Sequence, residues 1–384
     1  MERSTRKPRA LVVSFSNLGT DPRVHRQIAL LTDRFAVTAI GHAPPVVPGV
    51  TFCAVPEHHW TGIRKLAAAL LLKLGRFEQA YWSSQSVQAG STSLKEERFD
   101  LIVANDIFAL PLALSLRKDA RILFDAHEYA PLEFEESWRW RVFLQDFNVY
   151  LCRHYLPLAD AATTVCEGIV EEYRRTLGVQ MKVIHNAPPY QDLHPSSAKA
   201  DDPLRLVHHG TAIPSRQLET MIETMRHLDD RYTLDFVLVP GNPRYLDLLK
   251  SLASDNQRIR FLPPVGMHDL PRFLNRYDAG FYLLPPNNFN NRHSLPNKFF
   301  EFIQARLAIA IGPSPEMARL VRQYGCGVVA EDFSPRTLAA LLNSLSHAQI
   351  DRFKQQSHAA AADLCFEKNS VILRDTIDSL IGRG

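Results

Sequence analysis

The chain has 384 residues, 46% of them hydrophobic and 22% charged, which is enough length for two ordinary domains and the balance of a soluble globular protein. A net charge of +3 is too mild to point to nucleic acid. Five scattered cysteines with no C-x-x-C pair argue against a zinc site and for a reduced, cytoplasmic protein.

Arg3, Arg6, Lys7 and Arg9 precede a short apolar run, Ala10 to Ser16. It is too short for a signal core and reads as a central parallel strand. The turn after it, Asn17 to Arg26, opens a helix, with Asp21 as N-cap and Pro22 as first residue. Gly19 in that turn lets backbone approach a ligand closely. By the family resemblance that the later motifs share with this turn, Asp21 and Arg23 are candidates for holding an acceptor or a diphosphate, set against plain capping and an exposed arginine. Strands follow over 35–40 and 50–55. The segment 60–77 then carries an apolar stripe (Trp60, Ile63, Leu66, Ala67, Leu70, Leu71, Leu74) with Arg64, Lys65, Lys73 and Arg76. A basic amphipathic helix can lie on an anionic membrane, or it can pack on its own sheet.

Residues 99–106 form a strand that ends in Asp106, a second acceptor candidate or else a helix cap. Residues 121–125 form the next strand, followed at once by Asp125-Ala-His-Glu128. Residues 129–157, rich in aromatics and arginine, read as one or two helices, and strands return over 160–165 and 181–184. The proline-rich, aperiodic stretch 186–203 is the clearest domain boundary.

The second half opens with a strand over 204–209 and the loop Gly210 to Arg216, where Gly210 permits close approach and Arg216 offers a forked donor for phosphate oxygens. Strands over 234–239 and 258–262 follow, the latter leading into Pro263-Pro-Val-Gly-Met267. The run 279–285 reads as a buried strand, 287–293 as a loop and 296–306 as a helix with Pro296 in its first turn, before a strand over 307–311. Its start offers free N–H groups and partial positive charge, to which Lys298 adds a full one. Glu301 shares a face with Lys298 and could accept from ribose hydroxyls. On spacing alone the two read equally well as a solvated ion pair.

Together, "DPRVHRQIALL", "DAHE", "VIHNAPP", "LPNKFFEF" and "GPSPEM" resemble the retaining glycosyltransferases of the GT-B fold, above all glycosyltransferase family four and its bacterial relatives. The resemblance implies an α/β fold of two Rossmann-like, doubly wound parallel-sheet domains facing across a cleft. These are an acceptor-side domain over 1–190 and a donor domain over 204–365, with 366–384 returning to the first. It implies transfer of a sugar from a nucleotide-sugar donor, UDP- favoured over GDP-, to a saccharide or lipid-linked acceptor of the bacterial surface, without metal or other cofactor. By this likeness His127 lies beside the donor sugar, and Arg216 and Lys298 hold the diphosphate. Gly210, Val265, Gly266, Leu295 and Asn297 belong to the donor site, Gly19 faces it, and Glu301 holds the ribose. The family's other glutamate, eight positions before Glu301, is His293 here, and its first diphosphate cation is replaced by Thr211. The likeness also favours the membrane reading of 60–77, on the inner leaflet.

No G-x-G-x-x-G, G-x-S-x-G or Asp-x-Asp occurs, which weakens a nicotinamide dehydrogenase, a hydrolase and a metal-chelating transferase. Two rivals stay open: a sugar-nucleotide epimerase of the same fold, and a nucleotide-sugar-binding protein without turnover.

Overall fold

A computed structural model describes residues 7–57, 62–197 and 202–382, without the side chains of 62–64. It divides into two compact units, Met1–Ile184 with Ser370–Gly384, and His185–Asn369.

The first unit is built on seven strands: β1 (Arg9–Val13), β2 (Ala36–Gly41), β3 (Thr51–Ala54), β4 (Leu101–Asn105), β5 (Arg121–Ala126), β6 (Ala161–Thr164) and β7 (Lys182–Val183). They pair in the order β3-β2-β1-β4-β5-β6-β7, every neighbour parallel. The central strands are short and apolar because helices cover both faces of a parallel sheet. In β1 and β4 Ala10 to Val13 and Leu101 to Ala104 are fully buried. The order reverses between β1 and β4, and this switch opens a crevice at the strand carboxyl ends. The first helix, Pro22–Thr32, starts there. Asp21 accepts from the backbone N–H groups of Arg23 and Val24, as its sequence position predicts for an N-cap.

The second unit repeats the plan with β8 (Leu204–Thr211), β9 (Tyr232–Val239), β10 (Ile259–Leu262), β11 (Ala279–Tyr282), β12 (Ala308–Ile311) and β13 (Gly327–Val329). The order is β10-β9-β8-β11-β12-β13, again wholly parallel. Leu206, Leu234, Phe236 and Phe281 fill the core with Met221, Leu249 and Leu338 from the covering helices. The switch lies between β8 and β11. After β11 the stretch 287–293, expected as a loop, instead holds a short helix, Phe289–Arg292, because the Asn288 side chain caps it by accepting from Asn291 N–H; a longer helix, Asn297–Gln304, follows. Pro296 is its N-cap, at φ −78° and ψ 159°, rather than its first helical residue. A Cβ on Gly280 would lie 2.3 Å from the Phe302 ring, so the bare glycine lets this helix press onto β11 and carries Lys298 to the strand end.

Candidate active site

In the second unit two cations converge on one glycine. Gly210 has φ +127°, and a Cβ there would stand 3.1 Å from Lys298 Nζ and 3.2 Å from Arg216 Nη1. The helix Asn297–Gln304 aims Lys298 inward, where only 5% of the residue is exposed. Its Nζ lies 3.2 Å from His208 Nε2 and 4.4 Å above the ring of Tyr282. Burial first, then the charge of Arg216, pushes the Lys298 ammonium well below the usual lysine range, while Glu301 opposes the shift. Arg216 donates to Thr211 O at 3.2 Å, which steadies its fork beside the loop. Among the described residues no carboxylate lies within ion-pair distance of either cation.

Glu301 lies one turn after Lys298, with Oε2 3.3 Å from His209 Nε2. The groups enclose a cavity of about 270 Å³, lined by Gly210, Arg216, Val265, Asn297, Lys298 and Glu301 among others. Six of the residues read from sequence as donor-binding therefore share one pocket. Gly266, Leu295 and His293 are not in its lining. A Cβ on Gly266 would meet nothing within 4 Å, and Leu295 is buried. The His293 ring is tilted against Phe289, centroids 4.6 Å apart, with Nδ1 3.6 Å from Glu316 Oε1. Sequence reading missed His208, His209 and Tyr282. The only clue to the two histidines was two consecutive polar residues in a buried strand run just before Gly210.

The first unit gathers its charges differently. Arg23 donates through Nε and Nη2 to both oxygens of Asp125, at 2.7 and 2.6 Å, and through Nη1 to Ile184 O at 2.8 Å. Each of its three nitrogens holds a partner and the residue is buried, so Arg23 fixes Asp125. Asp21 is likewise occupied, capping the helix and accepting from Ser16 Oγ at 2.9 Å. Gln27 and Thr163 also donate to Asp125, at 3.2 and 2.6 Å. Burial would raise the Asp125 pKa, but the charge and hydrogen bonds of Arg23, with the His127 ring 3.7 Å away, hold it far below the usual carboxylate range.

His127 follows β5. Its backbone N–H donates to Asp106 Oδ1 at 2.9 Å, and its ring lies 3.3 Å from Asp106 Oδ2 and 3.2 Å from Asn105 Oδ1. Asp106 takes a left-handed φ of 64° to reach it, an uncommon conformation for a side-chain-bearing residue. Burial alone would lower the His127 pKa; Asp106 and Asp125 instead raise it to about 9, so the ring is an imidazolium at neutral pH. Beside this cluster a cavity of about 470 Å³ is lined by Phe15, His42, Tyr81, Asp106, Phe108 and Glu133 with several serines. Burial and the nearby Glu128 and Asp106 push the Glu133 carboxyl up to about 8. Gly19 lies off this cavity, its Cβ position 3.1 Å from Pro44 O.

The basic helix spans Gly62–Lys73. Ala68 and Leu72 are buried, whereas Leu66, Leu70 and Leu74 are 72%, 59% and 64% exposed. Trp60 and the side chain of Ile63 fall outside the described residues. Lys73 Nζ lies 5.2 Å over the ring of Phe143, so this helix meets the segment after Trp138, itself 60% exposed. No helix among the described residues is long and apolar enough to cross a membrane.

Residues 51–188 match the family described as Glycosyltransferase Family 4. Among curated protein sequences none matches the chain. Solved structures share its fold at low identity. Sucrose-phosphate synthase from Thermosynechococcus elongatus superposes with a TM-score of 0.75 at 12% identity, over 98% of this chain and 100% of that one. Anabaena HepE in complex with UDP-glucose gives 0.71 at 14% identity, over 97% and 100%. An α,α-trehalose-phosphate synthase (UDP-forming) from Burkholderia vietnamiensis gives 0.69 at 14% identity, over 98% and 100%.

Proposed function

We propose that this chain, a glycosyltransferase of the GT-B fold with a Glycosyltransferase Family 4 match over 51–188, takes its sugar from a UDP-sugar and transfers it with retention. The observation that carries the reading is the pair Lys298 and Arg216 converging on Gly210 with no carboxylate in contact among the described residues. Breaking the anomeric C–O bond leaves a diphosphate with new negative charge. Preorganised cations, Lys298 among them buried, stabilise that charge without reorganising at the moment of reaction. Glu301 takes the ribose hydroxyls, the backbone around Val265 takes the base, and Gly210 lets the diphosphate approach. His127 positions the donor sugar. Retention has the acceptor oxygen arrive on the face the diphosphate leaves, with a phosphate oxygen receiving its proton.

The acceptor is a saccharide or lipid-linked glycan of the bacterial surface, and the same reading sets the enzyme on the inner leaflet. The exposed Leu66, Leu70 and Leu74, with Lys65, Lys73 and Arg76 beside them, support this. The test of transfer is release of UDP from UDP-sugars by wild-type enzyme with an acceptor panel. Release that requires an acceptor supports transfer. A new free sugar nucleotide formed from donor alone would instead favour an epimerase. For the membrane, flotation with anionic vesicles at low salt is expected to carry the wild type up and to leave a Leu66→Glu, Leu70→Glu variant at the bottom. Equal flotation of the two removes this helix from the contact.

A further inference from the structure

The lysine of the pocket is not steered by an acidic partner. Its Nζ lies 3.2 Å from His208 Nε2, and His208 Nδ1 lies 2.9 Å from the carbonyl oxygen of Phe281. A carbonyl only accepts, so Nδ1 carries the hydrogen. An ammonium only donates, so Nε2 presents a lone pair. The two neighbours thus fix one tautomer of one neutral ring; the pairing of β8 with β11 sets the contact with Phe281, and the helix Asn297–Gln304 supplies Lys298. His208 is fully buried, between Phe236 and Tyr282, with ring centroids 5.9 and 5.4 Å away.

From this we infer that His208 is a positioning residue for the leaving diphosphate: its neutral Nε2 orients the Lys298 ammonium over Gly210 without cancelling its charge. A carboxylate at the same place would orient the ammonium equally well, but would neutralise it and compete with the anion. An imidazole lone pair supplies direction alone, and the Tyr282 face beneath adds attraction for a cation without adding an anion. The inference rests on the diphosphate reading of the pocket, and the experiment separates the two.

Pyrophosphate and UDP are titrated calorimetrically into wild-type protein, His208→Phe, His208→Gln, Lys298→Ala and the double variant Lys298→Ala, His208→Phe. Phenylalanine keeps the ring among Phe236 and Tyr282 but has no lone pair, whereas glutamine can return a neutral acceptor near Nε2. The expected result is binding weakened at least about tenfold by His208→Phe, which corresponds to about 1.4 kcal/mol. Glutamine is expected to restore most of it, and phenylalanine to add nothing once Lys298 is gone, since residues acting through one contact are not additive. If His208→Phe fails to fold, His208→Asn replaces it, keeping a donor for Phe281 O while losing the acceptor, with the same loss expected. Wild-type affinity in the folded acceptor-less variant, or an equal further loss in the Lys298→Ala background, overturns the role of His208. Wild-type protein that binds neither probe overturns the diphosphate reading itself.

Discussion

Both units place charged side chains where the strand order reverses, between β1 and β4 in one and between β8 and β11 in the other, and they treat those charges in opposite ways. In the first unit Arg23 meets Asp125 at both oxygens, and His127 sits among Asp106, Asn105 and Asp125. Positive and negative groups balance within the cluster. In the second unit Lys298 and Arg216 point at the same few ångströms of space, and their nearest partners are a histidine ring, a tyrosine face and a carbonyl. The contrast teaches that residue type and place in the fold do not separate a structural charge from a working one. Compensation does. A buried cation that already holds a carboxylate is part of the scaffold, and one held by neutral groups has its field left for a ligand.

The largest expected effect falls on the compensated side. Arg23→Leu strands the buried Asp125 carboxylate and should cost about 3–5 kcal/mol of stability in urea unfolding. UDP affinity of the folded fraction should stay within about twofold, because the two clusters share no partner. A variant as stable as wild type would show that the pair is not a structural element. On the uncompensated side the order of effects inverts. Lys298→Ala should leave the melting temperature near that of wild type or raise it, since it removes a desolvated charge. It should nevertheless lower kcat by about 10²-fold or more, by analogy with the loss of an oxyanion donor. Near-normal turnover would remove Lys298 from the reaction.

A smaller effect sharpens the contrast through pH. The folded pKa of His127, about 9, exceeds its ordinary value of 6.5, so its contribution to stability is complete below 6.5 and is lost as pH rises through 9. Wild-type stability should therefore decline over that interval more steeply than that of His127→Gln. Asp125 has the reverse sign, its depressed pKa contributing above the usual carboxylate range and failing as pH falls below it. Parallel pH–stability curves for wild type and His127→Gln would mean that the ring is not charged by its two aspartates.

Much of the frame was legible from sequence because buried parallel strands are unbroken apolar runs. Residues 101–105, 121–126 and 308–311 all lie where such runs place them. The Asp21 cap was legible because its chemistry is local. The single-residue shift at Pro296 has a local cause too, since its ψ of 159° is extended and the helix begins after it. What escaped reading depends on partners far along the chain. Arg23 looks like a free cation until the sheet brings in Asp125, 102 residues on. His208 looks like a filler of a strand until β11 pairs beside β8 and supplies Phe281 and Tyr282. His293 is legible as the place where the family's glutamate is missing, but its pairing with Glu316 is set by the fold.

The most direct test of the uncompensated pocket is calorimetric titration of UDP into wild-type protein and into a Lys298→Ala, Arg216→Ala double variant, both in EDTA. The wild type should bind UDP, and the double variant should lose at least about 100-fold in affinity, equivalent to about 2.8 kcal/mol. Equal affinities would mean that the diphosphate is held by something other than the two cations over Gly210.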